Sequence, residues 1–269
     1  MSLRVALAQI SSTRDVSRNI ELVRQRVAQA VEYEADLVVF PEAAMLSFDG
    51  ALPELTQQWH LKWEEALREI AREYGVAVAA GGFAPAGERV RNQLCFVTPE
   101  GEESVYTKIH LFDAFGFAES DTVEAGEELV TGNCKGITVG LSVCYDVRFP
   151  KLFAEYSRQG AQVQIVSASW GAGETKVEQW RALTTARALD SNSFVVAVGQ
   201  SHPITADQEF DPESKAPLGV GRSRVIDPFG RELVELGESP ALRLVELDLD
   251  AVEKAKEELP VLENAKLGY

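Results

Sequence analysis

Cysteine, histidine and methionine are all scarce in this 269-residue chain, at three, three and two. Cys95, Cys134 and Cys144 form no CxxC pair, and His60, His110 and His202 lie far apart. Zinc sites are read from clustered Cys and His ligands, so no metal centre is expected. The odd cysteine count, with no secretory leader pattern in MSLRVALAQI, points to free thiols in a reducing cytoplasm. No apolar run approaches the ~18 residues of a membrane span. Basic residues are outnumbered, 26 Lys and Arg against 42 Asp and Glu, for a formal charge of −16. Such a surface repels phosphate backbones, which argues against nucleic acid and anionic membranes as partners. A small anionic substrate stays open, because a local Lys or Arg can override the global field. Low-complexity tracts and Pro/Ser/Gly linkers are missing as well. With 45% hydrophobic and 25% charged residues, the chain reads as one globular domain over 1–269, with a core able to hold a rigid site.

Strands and helices alternate. Residues 4–10 read as a strand. Ile20, Val23, Val27 and Val31 then recur at helical spacing over 15–33, with Asp15 or Ser17 as cap. Residues 35–42, ADLVVFPE, are a continuous β-branched run as in a buried strand. A helix is predicted over 53–74, ended by Gly75, and a strand over 76–83. Two strands flank the Pro99-Glu100-Gly101 turn, the second running through SVYTKIHLF. Strands follow at 136–144, 163–170 and 193–200, with helices at 149–159 and 174–190 between them. A hairpin over 221–236, a strand over 243–250 and a charged helix over 251–258 complete the chain. This alternation indicates an α/β fold with one mixed sheet or two packed sheets; sheet number and order do not follow from it.

Three motifs carry chemistry. Phe40-Pro41-Glu42 puts a carboxylate where a buried strand ends, and an apolar setting raises a carboxylate's pKa towards the range useful for proton transfer. Tyr106-Thr107-Lys108-Ile109-His110-Leu111 puts a lysine in a β-like run, where burial is costly unless the lysine is paired. Gly140-Leu141-Ser142-Val143-Cys144-Tyr145-Asp146 ends an apolar strand in a cysteine, followed by a polar turn and a helix. A thiol at such a turn is presented beside backbone N–H groups that can stabilise an oxyanion. Each motif alone has a plain structural reading. Together they supply a nucleophile, a base and a positive group without any histidine.

The ordered set FPE, YTKIHLFD and CYDVRFP resembles the nitrilase-like carbon–nitrogen hydrolases. The likeness runs from ALAQI near the start through SRVIDPFG to the final ELPVL. It implies a four-layer α-β-β-α sandwich whose subunits pair as a homodimer, with residues 251–269 as a candidate dimer-contacting segment. It implies Cys144 as nucleophile, Glu42 as general base and acid, Lys108 as oxyanion partner and the Tyr145 N–H as a second oxyanion donor. Glu119, in Phe117-Ala118-Glu119-Ser120, matches the second glutamate of amide-cleaving members; it is expected to orient Lys108 or to position the hydrolytic water. The implied reaction runs through a thioester and needs no metal or organic cofactor. HLFDAFGFAES, CYDVRFP, TTARALD and SRVIDPFG resemble the deaminated-glutathione amidase branch, with ω-amidases close behind. Both act on small anionic amides. An N-carbamoyl amine hydrolase or an acyl transferase would use the same thioester, and a non-catalytic interaction protein would keep only the fold.

Other residues complete the reading. Ser169 and Trp170 end the strand after Cys144 and are expected in the substrate pocket, Trp170 equally in the core. Phe115 and Phe117 flank Glu119 at the expected entrance. Arg148 reads as a structural charge that pairs with Asp146 or Glu155. His110 gives a weaker Cys–His alternative. Cys95 reads as inert, and Cys134, in a Thr-Gly-Asn-Cys-Lys-Gly turn, as a solvated thiol.

Overall fold

The computed structural model describes residues 1–48, 51–114, 116–210 and 216–266. Its first half runs β1 (Ser2–Gln9), α1 (Val16–Glu32), β2 (Leu37–Val39), α2 (Leu52–Tyr74), β3 (Ala77–Ala86), β4 (Arg89–Val97) and β5 (Glu103–Thr107). A two-stranded ribbon follows, β6 (Asp113–Ala114) with β7 (Phe117–Ala118). The second half runs β8 (Thr131–Cys134), β9 (Ile137–Val143), α3 (Pro150–Arg158), β10 (Val163–Ala168), α4 (Lys176–Ser191) and β11 (Phe194–Gly199). It ends with β12 (Arg224–Ile226), β13 (Glu232–Glu235), β14 (Ala241–Asp248), α5 (Asp250–Glu258) and the single turn α6 (Val261–Asn264).

Two six-stranded sheets form, in the orders β14-β1-β2-β3-β4-β5 and β13-β12-β11-β10-β9-β8. Each has three parallel strands at its centre, β1-β2-β3 and β9-β10-β11. Parallel neighbours need a crossover, and the helices α1 to α4 supply all four. The halves therefore repeat one β-α-β-α-β plan. Side chains alternate along β1: Leu3, Val5 and Leu7 enter a core shared with Val139 and Leu141 of β9, whereas Ala6 and Ala8 face Val23 and Val27 of α1. With α3 and α4 covering the other sheet, the layers stack α-β-β-α, as expected. Burial on both faces explains why these strands read as unbroken apolar runs.

Local signals hold with small shifts. Asp15 caps α1, its carboxylate accepting from the Arg18 N–H at 3.2 Å. Gly75 ends α2 in the left-handed conformation, φ +64°. Two expectations are corrected. Lys108 lies one residue beyond β5 rather than inside a strand reaching Leu111. The amides of Ile109 and His110 there bond to the Tyr106 hydroxyl and the Asp146 carboxylate instead of a neighbouring strand. Cys134 is a buried residue of β8, not a solvated one. Its thiol faces the Asp36 carbonyl, and burial pushes its pKa up to about 11.

Candidate active site

The parallel strands of both sheets deliver their carboxyl ends to one place. Glu42 leaves the end of β2, Cys144 follows β9 and Ser169 follows β10. The second sheet grips the first here. The Ser167 hydroxyl donates to the Phe40 carbonyl at 2.8 Å, the Gln200 amide to the Glu42 carbonyl at 3.0 Å and the Ser169 N–H to Glu42 Oε2 at 2.7 Å. On the other side the turn lies directly on Gly81 of β3. A Cβ there would sit 2.6 Å from the Pro41 carbonyl oxygen and 2.7 Å from Glu42 Cα. Backbone atoms cannot swing aside, so Gly81→Ala is expected to cost about 1–3 kcal/mol. Urea unfolding checks this; an unchanged stability would show that the Glu42 turn has slack.

Four ionisable side chains meet at this point. Lys108 Nζ donates to Glu119 Oε1 and Oε2 at 2.9 and 2.8 Å and to Glu42 Oε1 at 3.0 Å. The Asn92 amide on β4 bridges both carboxylates, at 2.8 Å to Glu42 and 3.1 Å to Glu119. The Phe112 N–H donates to Glu119 Oε2 at 2.7 Å. Glu42, Lys108 and Glu119 are each no more than 2% exposed. Burial alone would lower the lysine's pKa, but Glu119 and then Glu42 outweigh it and hold the ammonium charged. Glu42 is pushed up, first by burial and then, against the pull of Lys108, by Glu119.

Cys144 opens a short 3-10 turn with φ +47°, a conformation that side chains with a Cβ rarely adopt. Such strain is held only where the surroundings over-determine it. Here the fully buried Asp146 does so. It accepts from the Val143 N–H at 2.9 Å, the Tyr106 hydroxyl at 2.8 Å and the His110 N–H at 3.1 Å. One carboxylate thus ties the cysteine turn to the Lys108 segment. The thiol donates to the Ser169 carbonyl at 3.8 Å, and Glu42 is near enough for its charge to act on the sulfur. Burial first, and the Glu42 charge second, push its pKa well above the ordinary thiol value. The resting group is therefore a thiol with the Glu42 carboxylate nearby, not a free thiolate.

Around this centre lies a pocket with about 410 Å³ of empty space. Tyr145, Ser169, Trp170 and Phe117 all line it, as do Arg148, Lys176, Phe48 and Phe112. Trp170 is also 4% exposed and belongs to the core. Phe115 lies outside the described residues. Arg148 is corrected: it pairs with neither Asp146 nor Glu155. Asp146 is already occupied as above, and Glu155 pairs with Arg158. Arg148 instead donates to Gln179 Oε1 at 2.7 Å and lies 5.1 Å from the Trp170 ring centroid. His110 is committed elsewhere, with Nδ1 2.7 Å from Asp146 and its ring stacked on Phe149 at 3.6 Å. Asn92, Lys176 and the Asp146 network carried no recognisable sequence signal. Among the described residues no group of three or more His, Cys, Asp and Glu is placed to hold a metal ion, and no helix is long and apolar enough to cross a membrane.

The chain as a whole has counterparts among known proteins. Residues 4–257 match the Carbon-nitrogen hydrolase family. The chain belongs to that family. This carbon–nitrogen hydrolase is 45% identical to a Mycobacterium tuberculosis protein named only as a hydrolase, over 97% of this chain and 95% of the relative. It is 32% identical to the deaminated glutathione amidase of Escherichia coli O157:H7, over 98% and 97% of the two chains. Its fold superposes on the Caenorhabditis elegans NitFhit protein with a TM-score of 0.86 at 26% identity, covering 98% of this chain and 65% of that longer one. The protein is thus a hydrolase of C–N bonds on the nitrilase-type sandwich.

Proposed function

We propose that this carbon–nitrogen hydrolase is an amidase that converts a small linear anionic amide to a carboxylate and ammonia, with deaminated glutathione as the leading substrate. The observation that supports it most is the Cys144 thiol, held in a left-handed turn within reach of the Glu42 charge, while Lys108 is clamped by two carboxylates. That set fits acyl transfer through sulfur.

Glu42 takes the thiol proton as Cys144 Sγ attacks the amide carbon. The carbonyl oxygen becomes an oxyanion stabilised by Lys108, whose ammonium turns one N–H from its carboxylate partners to receive it, and by the Tyr145 N–H. Glu42 returns its proton to the nitrogen, the C–N bond breaks and ammonia leaves a Cys144 thioester. Water, deprotonated by Glu42, adds to the thioester; the C–S bond breaks, sulfur regains the proton and the carboxylate departs. Glu119 bonds Lys108 through both oxygens, which favours lysine orientation as its role over water positioning. The pocket's phenyl and indole walls suit the acyl chain, with Ser169, Trp170 and Phe117 in contact with it. We take the enzyme to work as a cytoplasmic homodimer without cofactor. All three cysteines are free, which suits a reducing compartment. In the candidate dimer segment, α5 buries Val252 and Ala255 against its own chain, leaving Leu259 exposed beyond it.

Two measurements test this reading. Ammonia release is expected to be fastest with deaminated glutathione; a preference for 2-oxoglutaramate would make the enzyme an ω-amidase, and turnover of N-carbamoyl amino acids alone would contradict an amidase. The second is pH dependence. The base must be ionised, and Glu42 sits above the ordinary glutamate value of 4.5 because it is buried. Activity therefore falls as pH drops through that raised value, sooner than an ordinary glutamate allows. A kcat/KM profile whose acid limb lies at or below 4.5 would remove Glu42 as the base.

A further inference from the structure

Asn92 touches Glu42, Lys108 and Glu119 at once. Its backbone carbonyl accepts from the Lys108 N–H at 2.9 Å, and its side-chain amide donates to Glu42 Oε1 at 2.8 Å and to Glu119 Oε1 at 3.1 Å. The residue is fully buried, on the face of β4 that carries Leu94 and Phe96 into the core between the sheets. In such a row an amide has no packing advantage over an apolar side chain. Its bonding is also one-sided. Among the described residues Asn92 Oδ1 is buried without a hydrogen-bond partner. The reverse orientation would aim that oxygen at two carboxylates, so the orientation is fixed. A buried polar group satisfied on one side only calls for an explanation, and here the explanation is its two donors.

The four carboxylate oxygens are not equivalent. Glu42 Oε2 is held by the Ser169 N–H at 2.7 Å, and Glu119 Oε2 by the Phe112 N–H at 2.7 Å and by Lys108 at 2.8 Å. The two Oε1 atoms share one pair of donors, Lys108 Nζ and the Asn92 amide. Lys108 has three N–H groups, and its three bonds here all go to these carboxylates. Receiving an oxyanion draws one of them away. Asn92 has no second task, so its two N–H groups stay on the Oε1 pair throughout. The charged and titratable groups that act on Glu42 and on the thiol are Lys108, Glu119 and each other. Two carboxylates this close stay ionised together only while donors stabilise both; otherwise one of them keeps a proton.

We propose that Asn92 is a positioning residue that keeps Glu42 and Glu119 from holding a proton between them, so that Glu42 remains free to act as base while Lys108 turns to the oxyanion. The inference rests on the amidase reading for the role of Glu42, but its test does not use turnover. The rate at which iodoacetamide alkylates Cys144 is followed from acid to neutral pH, by mass analysis of the peptide that carries Cys144. Thiol attack needs a base, so the first rise in rate marks ionisation of the carboxylate beside the sulfur. Asn92→Leu, close in shape but without donors, is expected to move the midpoint of that rise to higher pH by about one unit or more, the tenfold effect of losing a hydrogen bond to a charged group. Asn92→Ala is expected to move it in the same direction, and it serves if leucine does not fit. A change that only loosened the fold would lower the rate at every pH and leave the midpoint in place. An unmoved midpoint in either folded variant would overturn the proposal, as would a wild-type rate without such a rise. The amidase reading fails separately, if the wild-type protein shows the expected alkylation profile but releases no ammonia from any amide.

Discussion

Cys144→Ala is expected to lower kcat by a factor on the order of 10^4 or more while leaving the fold intact. Removal of a nucleophile from a cooperating set costs nearly the whole of catalysis, because the remaining groups have nothing to activate. The variant is clean for a structural reason. Alanine keeps the same Cβ at the φ +47° position, so backbone strain is unchanged, and only one sulfur leaves a site that is 8% exposed. Glu42, Lys108, Glu119 and Asn92 keep every bond they make to one another. Serine would restore an O–H but with a far higher pKa than a thiol, and Glu42 would deprotonate it poorly. Steady-state ammonia assays beside a thermal melt check both halves. A folded Cys144→Ala protein that still turns over substrate at a substantial rate would place the nucleophile elsewhere.

Lys108→Met is expected to be the most destabilising of the single changes considered, by about 3–5 kcal/mol, together with loss of activity. The two carboxylates at 3.0 Å and 2.8 Å from Nζ would face each other in a water-poor site. Like charges held so close cannot both ionise, so one keeps its proton. The pH dependence then has a definite sign. A buried carboxyl whose folded pKa is raised contributes its stability below the unfolded pKa and loses it as pH rises through the folded value. Lys108→Met should therefore approach wild-type stability in mild acid and fall furthest behind near neutral pH. Adding Glu119→Gln removes one charge and is expected to restore part of the stability without activity. Urea titrations at the two pH values read all three results. A Lys108→Met protein as stable as wild type at neutral pH would mean that the lysine does not neutralise this cluster.

These two residues also show what kind of information the sequence carried. Glu42, Lys108 and Cys144 were legible because each lies at or next to the end of an apolar run, where a polar residue has no packing reason to be. Helix caps such as Asp15 and the Gly75 stop were equally plain, being decided within a few residues. The two-sheet arrangement was not. Strands β2 and β10 are buried on both faces in the same way, so periodicity does not say which sheet either joins, and the resemblance to the family supplied that step. The β-formers around Lys108 predict a strand there. What ends β5 is partly long-range: the nearby Tyr106 hydroxyl takes one amide, and Asp146, 36 residues further along the chain, takes the other that a neighbouring strand would otherwise satisfy. Cys134 looked solvated from its turn-like neighbours, yet pairing of β8 with β9 buries it. Asn92 sits in an ordinary strand sequence and becomes part of the site only because Glu42, 50 residues away, arrives beside it. Arg148 was expected to find an acid, but Asp146 is consumed by the cysteine turn and the guanidinium turns to Gln179 and Trp170.

The proposed reaction releases ammonia from an intermediate in which the acyl group is bonded to Cys144. Acid quenching during turnover, followed by mass analysis of the peptide that carries Cys144, addresses it most directly. The expected result is that peptide heavier by the acyl group of the amide supplied, with no such species from the Cys144→Ala protein. Ammonia release with no adduct on any peptide, or with an adduct on another residue, would contradict it.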